Sequence, residues 1–335
     1  MTLTRPRRRG AALAAALLST ALLLTACSGN DAPEGTIDNS PAAGNDAFPV
    51  TVTTTYGETT LYEKPERIVA LGMSNLDILT SLGVTPVAFA DDGYTVNGGS
   101  PDFSNAPWVD GKVSADLWDV GLADGEVNAE AIAAYDPDLL IVGTRDAEDG
   151  NMYETLSEIA PVYVSPSASE WQKDTTEIGQ LTGKSTEAEE QIAAVEKAYE
   201  DAQSSLPGLQ GRTYNIGALD AGEIWIEGPW TFLSDLGLVP ADNQPAEDIQ
   251  NMSMENVDQL QADVMVLVAY DDATTDTFKS DPRVASLPSS ENGTLIYLPA
   301  NFLGAAHRAG PLNRLWVKDQ MVSYLEKTPL NQEGN

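Results

Sequence analysis

Two stretches of this chain can be laid over one another without a gap, and that repeat constrains the fold more than any other feature of the sequence. "NAEAIAAYDPDLLIV" (residues 128–142) and "SMENVDQLQADVMVL" (residues 253–267) align at an offset of 125 residues, pairing Glu130 with Glu255, Ile132 with Val257 and Asp138 with Asp263. Each reads as a helix with a carboxylate in its first turn, where the helix dipole favours an anion, followed by an apolar, strand-like run. Asn128 and Ser253, two residues earlier, are suited to capping the helix N-terminus. A second echo sets "LTSLGV" (79–84) against "LSDLGL" (233–238), each resembling a helix end with glycine just past it. The economical reading is two half-molecules built on one plan.

Short apolar runs alternate with helical patterns in both halves. The expected strands are "RIVAL", "PVAFA", "LLIVG" and "VYVS" in the first half, and "TYNIGA", "EIWIE", "VMVLVA" and "LIYLP" in the second. Continuous β-rich runs between helices argue for mainly parallel sheets covered on both faces. The fold class is therefore α/β, with two Rossmann-like lobes. Between them, Ile192, Val195, Tyr199, Ala202 and Leu206 fall near helical spacing, with Ser185 near the start and Pro207-Gly208 as a stop. Such a helix of roughly 30 Å, at 1.5 Å per residue, would bridge the lobes and limit their motion. The boundaries that follow are 49–167 for the first lobe, 168–207 for the helical segment, 208–328 for the second lobe and 329–335 for a tail.

The N-terminus carries a different signal. Arg5, Arg7, Arg8 and Arg9 precede an Ala/Leu-rich run from Ala11 to Ala26, which is short of the ~20 apolar residues that span a bilayer. The only cysteine, Cys27, follows directly, so no disulfide can form within the chain. "Leu24-Thr25-Ala26-Cys27" resembles the bacterial lipoprotein signal, which implies removal of residues 1–26 and lipidation of Cys27. Residues 27–48, rich in Gly, Ser, Pro, Asn and Asp, are expected to form a disordered tether to the cell membrane. The folded part would then work outside the cytoplasm. Without residues 1–26, 14 Lys and Arg face 51 Asp and Glu, a net charge of −37. That excludes nucleic acid as a partner and disfavours anionic lipid surfaces.

One family fits these residues. Lys64-Pro65, Arg67-Ile68-Val69, Leu82-Gly83-Val84 and Pro86-Val87 resemble the opening of iron-siderophore substrate-binding proteins of bacterial ABC importers, and "NAEAIAAYDPDLLIVGT" resembles a second segment of the same family. Ala129 and Tyr135 depart from that pattern, each standing where the family usually has leucine. The resemblance implies two α/β lobes bridged by one helix, a ferric siderophore held in the cleft between them, and no cofactor. It also implies docking to a permease dimer through one glutamate on each lobe, here Glu130 and Glu255. The chain itself is expected to be a monomer.

In open α/β sheets, ligands sit beyond the carboxyl ends of the strands. That rule nominates Met73 after "RIVAL", Arg145 after "LLIVG", Trp225 and Trp230 around "EIWIE", Tyr270 after "VMVLVA", and Phe302, His307 and Arg308 after "LIYLP". The first half is also longer between its Gly-Val turn and its glutamate helix. The excess carries Tyr94, Trp108 and Trp118 in a loop-like setting, a place where aromatics wall a cleft as readily as they fill a core. The scarcity of basic residues favours a neutral or cationic hydroxamate chelate over a strongly anionic one. No G-x-G-x-x-G follows a first strand, and G-x-S-x-G, H-E-x-x-H and P-loop motifs are absent from the sequence, so an enzyme is not expected. His307 is the only histidine, which argues against bare zinc. Haem or cobalamin binding for an importer, or ligand sensing by an anchored module, remain the alternatives.

Overall fold

The computed structural model describes residues 46–90, 103, 106–113, 118–119, 122–123, 126–144, 147, 152–166, 168–228, 231–245, 249–299, 302 and 305–332. The first half opens with a hairpin that was not among the expected strands, β1 (Val50–Thr54) paired antiparallel with β2 (Gly57–Leu61). Its sequence is rich in threonine. The expected strands then follow as β3 (Ile68–Leu71), β4 (Ala88–Ala90), β6 (Leu139–Val142) and β7 (Val162–Val164), with a two-residue β5 (Trp118–Asp119) between β4 and β6. They form a sheet in the order β5-β4-β3-β6-β7, parallel throughout. Helices α1 (Met73–Ser81), α2 (Ala129–Ala133) and α3 (Met152–Ser157) belong to this half. The strand order reverses between β3 and β6, so Gly72, at the end of β3, lies at the switch point where such sheets bind ligands.

The second sheet repeats the plan with a change. Strands β8 (Thr213–Asp220), β12 (Val264–Ala269) and β13 (Leu295–Pro299) are parallel neighbours, and the two-residue β10 (Val239–Pro240) also pairs parallel with β8. On the other side, β9 (Glu223–Ile226) and β11 (Gln250–Ser253) run antiparallel, giving the order β11-β9-β8-β12-β13. The expectation of mainly parallel strands holds for the first sheet and gives way to a mixed second one. The reason is local: Ala221 and Gly222 both take positive φ and join β8 to β9 in a two-residue hairpin.

The paired aspartates of the repeat have the same structural task in each half. Asp138 accepts backbone N–H bonds from Glu66 (2.7 Å) and Arg67 (2.8 Å), just ahead of β3. Asp263 accepts from the backbone N–H (3.0 Å) and hydroxyl (3.0 Å) of Thr213, the first residue of β8. Gly83 and Gly237 both have positive φ at their helix ends, as the echo between them predicts.

The expected bridging helix is α5 (Ser185–Ser205), preceded by α4 (Trp171–Thr182), which packs against it. Ser185 is its first helical residue, and its N–H is taken by the Asp46 carboxylate (2.9 Å). Asp46, inside the stretch assigned to the tether, is thus part of the packed fold. The second half adds α6 (Thr231–Asp235), α7 (Asp272–Ser280) and α8 (Pro288–Glu291). Helix α9 (Pro311–Leu325) then packs against both α5 and α1, so the C-terminal helix reaches the first lobe. The last turn, α10 (Pro329–Gln332), closes on the end of the bridge: Asn331 accepts from the Gly208 N–H (3.2 Å) and donates to the Ser205 carbonyl (3.1 Å). It is packed structure within the stretch read as a tail. One continuous apolar core includes Met73 and Leu76 of α1, Val195 and Tyr199 of α5, Ile216 of β8 and Val317 of α9.

Polar groups are buried in the first lobe too. Ser165, just past β7, donates to the Asn75 side-chain oxygen (2.7 Å), and Asn75 donates to the Leu71 carbonyl (2.6 Å), tying the ends of β3 and β7 together. The Tyr163 hydroxyl lies 2.9 Å from Asp174 and 2.8 Å from Glu177. It has one hydrogen for two carboxyl acceptors. Burial pushes Asp174 up to about 7, with the Glu177 charge adding to the rise, and burial also pushes the Tyr163 phenol up. An acid raised in the folded state keeps a proton that the unfolded chain has released. Its cost to stability is full above about pH 7 and vanishes below about pH 4. The expected outcome is that Asp174→Asn melts higher than the wild type at pH 8 and that the gap closes as the pH falls to 4, as scanning calorimetry of both proteins will show.

Candidate functional site

A cavity of about 320 Å³ lies where the bridging helix, the C-terminal helix and the segment after β13 converge. Ser169 contributes from the turn before α4, Tyr199 from α5, and Thr231 and Phe232 from α6. The far wall is the turn 306–309 with Asn313, Arg314 and Val317 of α9. The lining is thus drawn from the helical segment that joins the lobes and from the second lobe. Of the nominated residues, His307 and Arg308 line this cavity directly.

Phe302 lies behind that wall, buried, edge-on to Phe232 (6.2 Å between centroids) and tilted against Trp316 (5.7 Å). Trp108 is buried against the same Trp316 (5.5 Å), and its indole N–H has no hydrogen-bond partner. The excess of the first half therefore reaches across to the C-terminal helix. Met73 is buried in the shared core. Trp225 is half-buried on β9 and Tyr270 is exposed past β12. Burial pushes the Tyr270 phenol up, with the Glu227 and Asp220 charges adding to it. Cys27, Tyr94, Arg145, Trp230 and the side chain of Trp118 lie outside the described residues.

The electrostatics of the cavity rest on two pairs. His307 Nε2 lies 2.9 Å from the buried Glu227 carboxylate. Arg314, the residue that sequence reasoning missed, is 5% exposed and paired with Asp235, with Thr231 Oγ1 at 3.3 Å. Its guanidinium lies over the rings of Trp171 (4.9 Å) and Tyr199 (5.0 Å), and the Tyr199 hydroxyl donates to the Arg314 carbonyl (3.1 Å). One cation thus joins α4, the bridge, α6 and α9. Arg314 Nε and Asn313 Nδ2 are buried without a hydrogen-bond partner, and both residues line the cavity. The available signal was position: Arg314 falls in the first turn of a helix opened by Pro311, beyond the nominated loop. Among the described residues, no group of three or more His, Cys, Asp or Glu is arranged to hold a metal ion.

Glu130 and Glu255 are both exposed. Asn128 caps α2 by accepting from the Ala131 N–H (3.0 Å), and Ser253 accepts from the Glu255 N–H (3.3 Å) at the start of a 3₁₀ turn, Met254–Gln259. Each glutamate sits in the first turn of its element, as the repeat predicts, although the second is a tighter helix than the first. No helix among the described residues is long and apolar enough to cross a membrane.

The two partners of the Arg314 pair should respond unequally to mutation. Arg314→Lys keeps the charge but loses the planar stack between two rings, and is expected to destabilise by about 1–3 kcal/mol. Asp235 is 45% exposed at its side chain, but Asp235→Ala leaves the buried Arg314 guanidinium without its ionic partner and is expected to cost about 3–5 kcal/mol. Urea denaturation of both variants measures the asymmetry.

A sequence profile described as "Periplasmic binding protein" matches residues 68–302. The chain is 28% identical over 255 residues to the Fe(3+)-citrate-binding protein YfmC of Bacillus subtilis, covering 71% of this chain and 74% of that one. It is 26% identical over 263 residues to the ferric enterobactin-binding periplasmic protein FepB of Escherichia coli, covering 73% and 82%. Among solved structures, a periplasmic solute binding protein from Mycobacterium smegmatis superposes with a TM-score of 0.66 at 27% identity, covering 82% of this chain and 97% of that one. With two α/β lobes, a single bridging helix and a cavity at their junction, the chain belongs to the periplasmic binding protein family.

Proposed function

We propose that this protein is the extracytoplasmic binding component of an ABC importer for ferric siderophores. The observation that carries the reading is the cavity at the lobe junction, walled by His307, Arg308, Arg314 and Asn313. It supplies hydrogen-bond donors and two aromatic rings in a concave setting, which suits an oxygen-rich chelate with apolar arms. Two similar proteins are named for ferric ligands, one for Fe(3+)-citrate and one for ferric enterobactin. Within that class a hydroxamate chelate is preferred here, because Asp235 and Glu227 offset Arg314 and His307 and leave the wall only weakly cationic. The other nominated residues, Met73, Tyr94, Trp108, Trp118, Arg145, Trp225, Trp230, Tyr270 and Phe302, are read as rim or backing to this site.

The remaining parts of the reading concern delivery. Cys27 carries a lipid and the residues between it and Asp46 act as the tether. Glu130 and Glu255, exposed and matched by the repeat, dock on arginines of the permease dimer through charge-assisted contacts. The protein acts as a monomer and catalyses no reaction.

Titrating the intact protein with ferric hydroxamates, ferric citrate, a ferric catecholate and haem, followed by tryptophan fluorescence, identifies the ligand class. Quenching at about micromolar or lower concentration is expected for a hydroxamate (about −8 kcal/mol); saturation by haem alone would refute the siderophore reading. In cells, Glu130→Arg with Glu255→Arg is expected to abolish uptake of the chelate while binding to the purified protein is unchanged. Uptake at the wild-type rate would remove the docking assignment.

A further inference from the structure

Asp77 is wholly buried in the middle of α1, and its partners come from the other end of the chain. Its two carboxylate oxygens accept the backbone N–H groups of Leu312 (3.0 Å) and Asn313 (2.7 Å), in the first turn of α9. Helix α9 has glycine, Gly310, at its N-cap, with no capping side chain of its own, so Asp77 supplies the cap from the first lobe. A β-carbon on Gly310 would lie 2.3 Å from Asp77 Oδ1, so the approach excludes any larger residue there. One turn earlier on α1, Ser74 Oγ accepts from the Ala309 N–H (3.2 Å). The segment held by these bonds includes Ala309, Asn313 and Arg314 of the cavity wall and directly follows His307 and Arg308.

We infer that Asp77 is a positioning residue for the ligand: its carboxylate clamps the start of α9 to α1, fixes the 307–314 wall of the cavity, and loosens that wall when it takes a proton. This rests on the reading of the cavity as the siderophore site. An ionised carboxylate accepts both N–H groups; a carboxylic acid has one oxygen committed as a donor and holds only one of them well. Burial pushes Asp77 up to about 7, against the two backbone N–H bonds and Lys112, which pull it down. Lys112, whose Nζ also donates to the Trp108 carbonyl (2.6 Å), is the charge that acts on it from the 106–113 turn. The other helices packed on α1 bring Asp174 of α4, bonded to Tyr163, and Arg314 and Lys318 of α9, paired with Asp235 and Asp319. Strand β3 and the rest of α1 carry no other charge. The clamp is therefore fully ionised above about pH 7 and is lost as the pH falls through that value.

Asp77→Asn mimics the protonated form, since an amide nitrogen cannot accept. Chelate titrations of the intact wild type and this variant between pH 6 and 8 test the inference. At pH 8 the variant is expected to bind about tenfold more weakly, the loss of one hydrogen bond to a charged group, and at pH 6 the two should bind alike. The ratio cancels any contribution from His307 and Glu227, which both proteins keep. A ratio of one throughout, or a constant penalty at every pH, would overturn the inference. Amide hydrogen exchange of ligand-free protein, corrected for intrinsic rates, separates this from the wider reading. Protection at Leu312 and Asn313 should fall in the wild type from pH 8 to 6 and stay low in the variant; equal protection in both at pH 8 overturns the clamp. If no chelate binds the wild type but this exchange difference appears, the ligand assignment fails and the clamp stands. Should Asp77→Asn not fold, Gly310→Ala displaces the same segment and is expected to weaken binding in the same direction; wild-type affinity in it would also count against the inference.

Discussion

The structure turns on one buried cation. Arg314 lies over the rings of Trp171 and Tyr199 and is paired with Asp235, so α4, the bridge, α6 and α9 meet around a single guanidinium. A buried charge is tolerated only where it is paired and stacked, and this one draws its partners from α4, the bridge and α6 at once. Those requirements fix where α9 begins. The start of α9 in turn fixes the cavity wall, because Asn313 and Arg314 belong to both. The cavity is thus a by-product of the way these helices are fastened together.

The repeat explains the rest of the frame. Asp138 and Asp263 bind the backbone ahead of or at the first strand of their own half, and Glu130 and Glu255 project from equivalent first turns. Where the halves differ, the difference has a place. The second half turns back at Ala221 and Gly222 and so builds antiparallel strands. The first half spends its extra residues between β4 and β5, and the described part of that excess packs Phe103 on Phe89 and Trp108 on Trp316. Each module therefore has its own edge arrangement, while the apolar core passes from one to the other.

The expected strands of the two sheets and the bridging helix were legible because each is a local pattern, a run of apolar residues or an apolar stripe with a proline stop, whereas the two-residue β5 and β10 and the more polar β11 were not expected. The hairpin Val50–Leu61 was not, since its threonines and single glycine do not separate a paired strand from an extended tether. Within the site, His307 and Arg308 were legible from their place after a strand. Arg314, Asn313 and Asp77 were not, because their roles depend on which helix comes to rest against which, and no spacing along the chain encodes that. Tyr199 read as one member of an apolar stripe; only the fold shows that it also stacks on a cation. Trp108 read equally as cleft wall or core and packs in the core, a distinction that a single aromatic in a polar loop does not carry.

The bonds from Ser74 and Asp77 to the start of α9 span about 235 positions of the chain. Contacts that distant must wait for loop closure. During synthesis, the first lobe emerges long before its partners Leu312 and Asn313 exist, so the clasp that completes the cavity is among the last native contacts available to the nascent polypeptide.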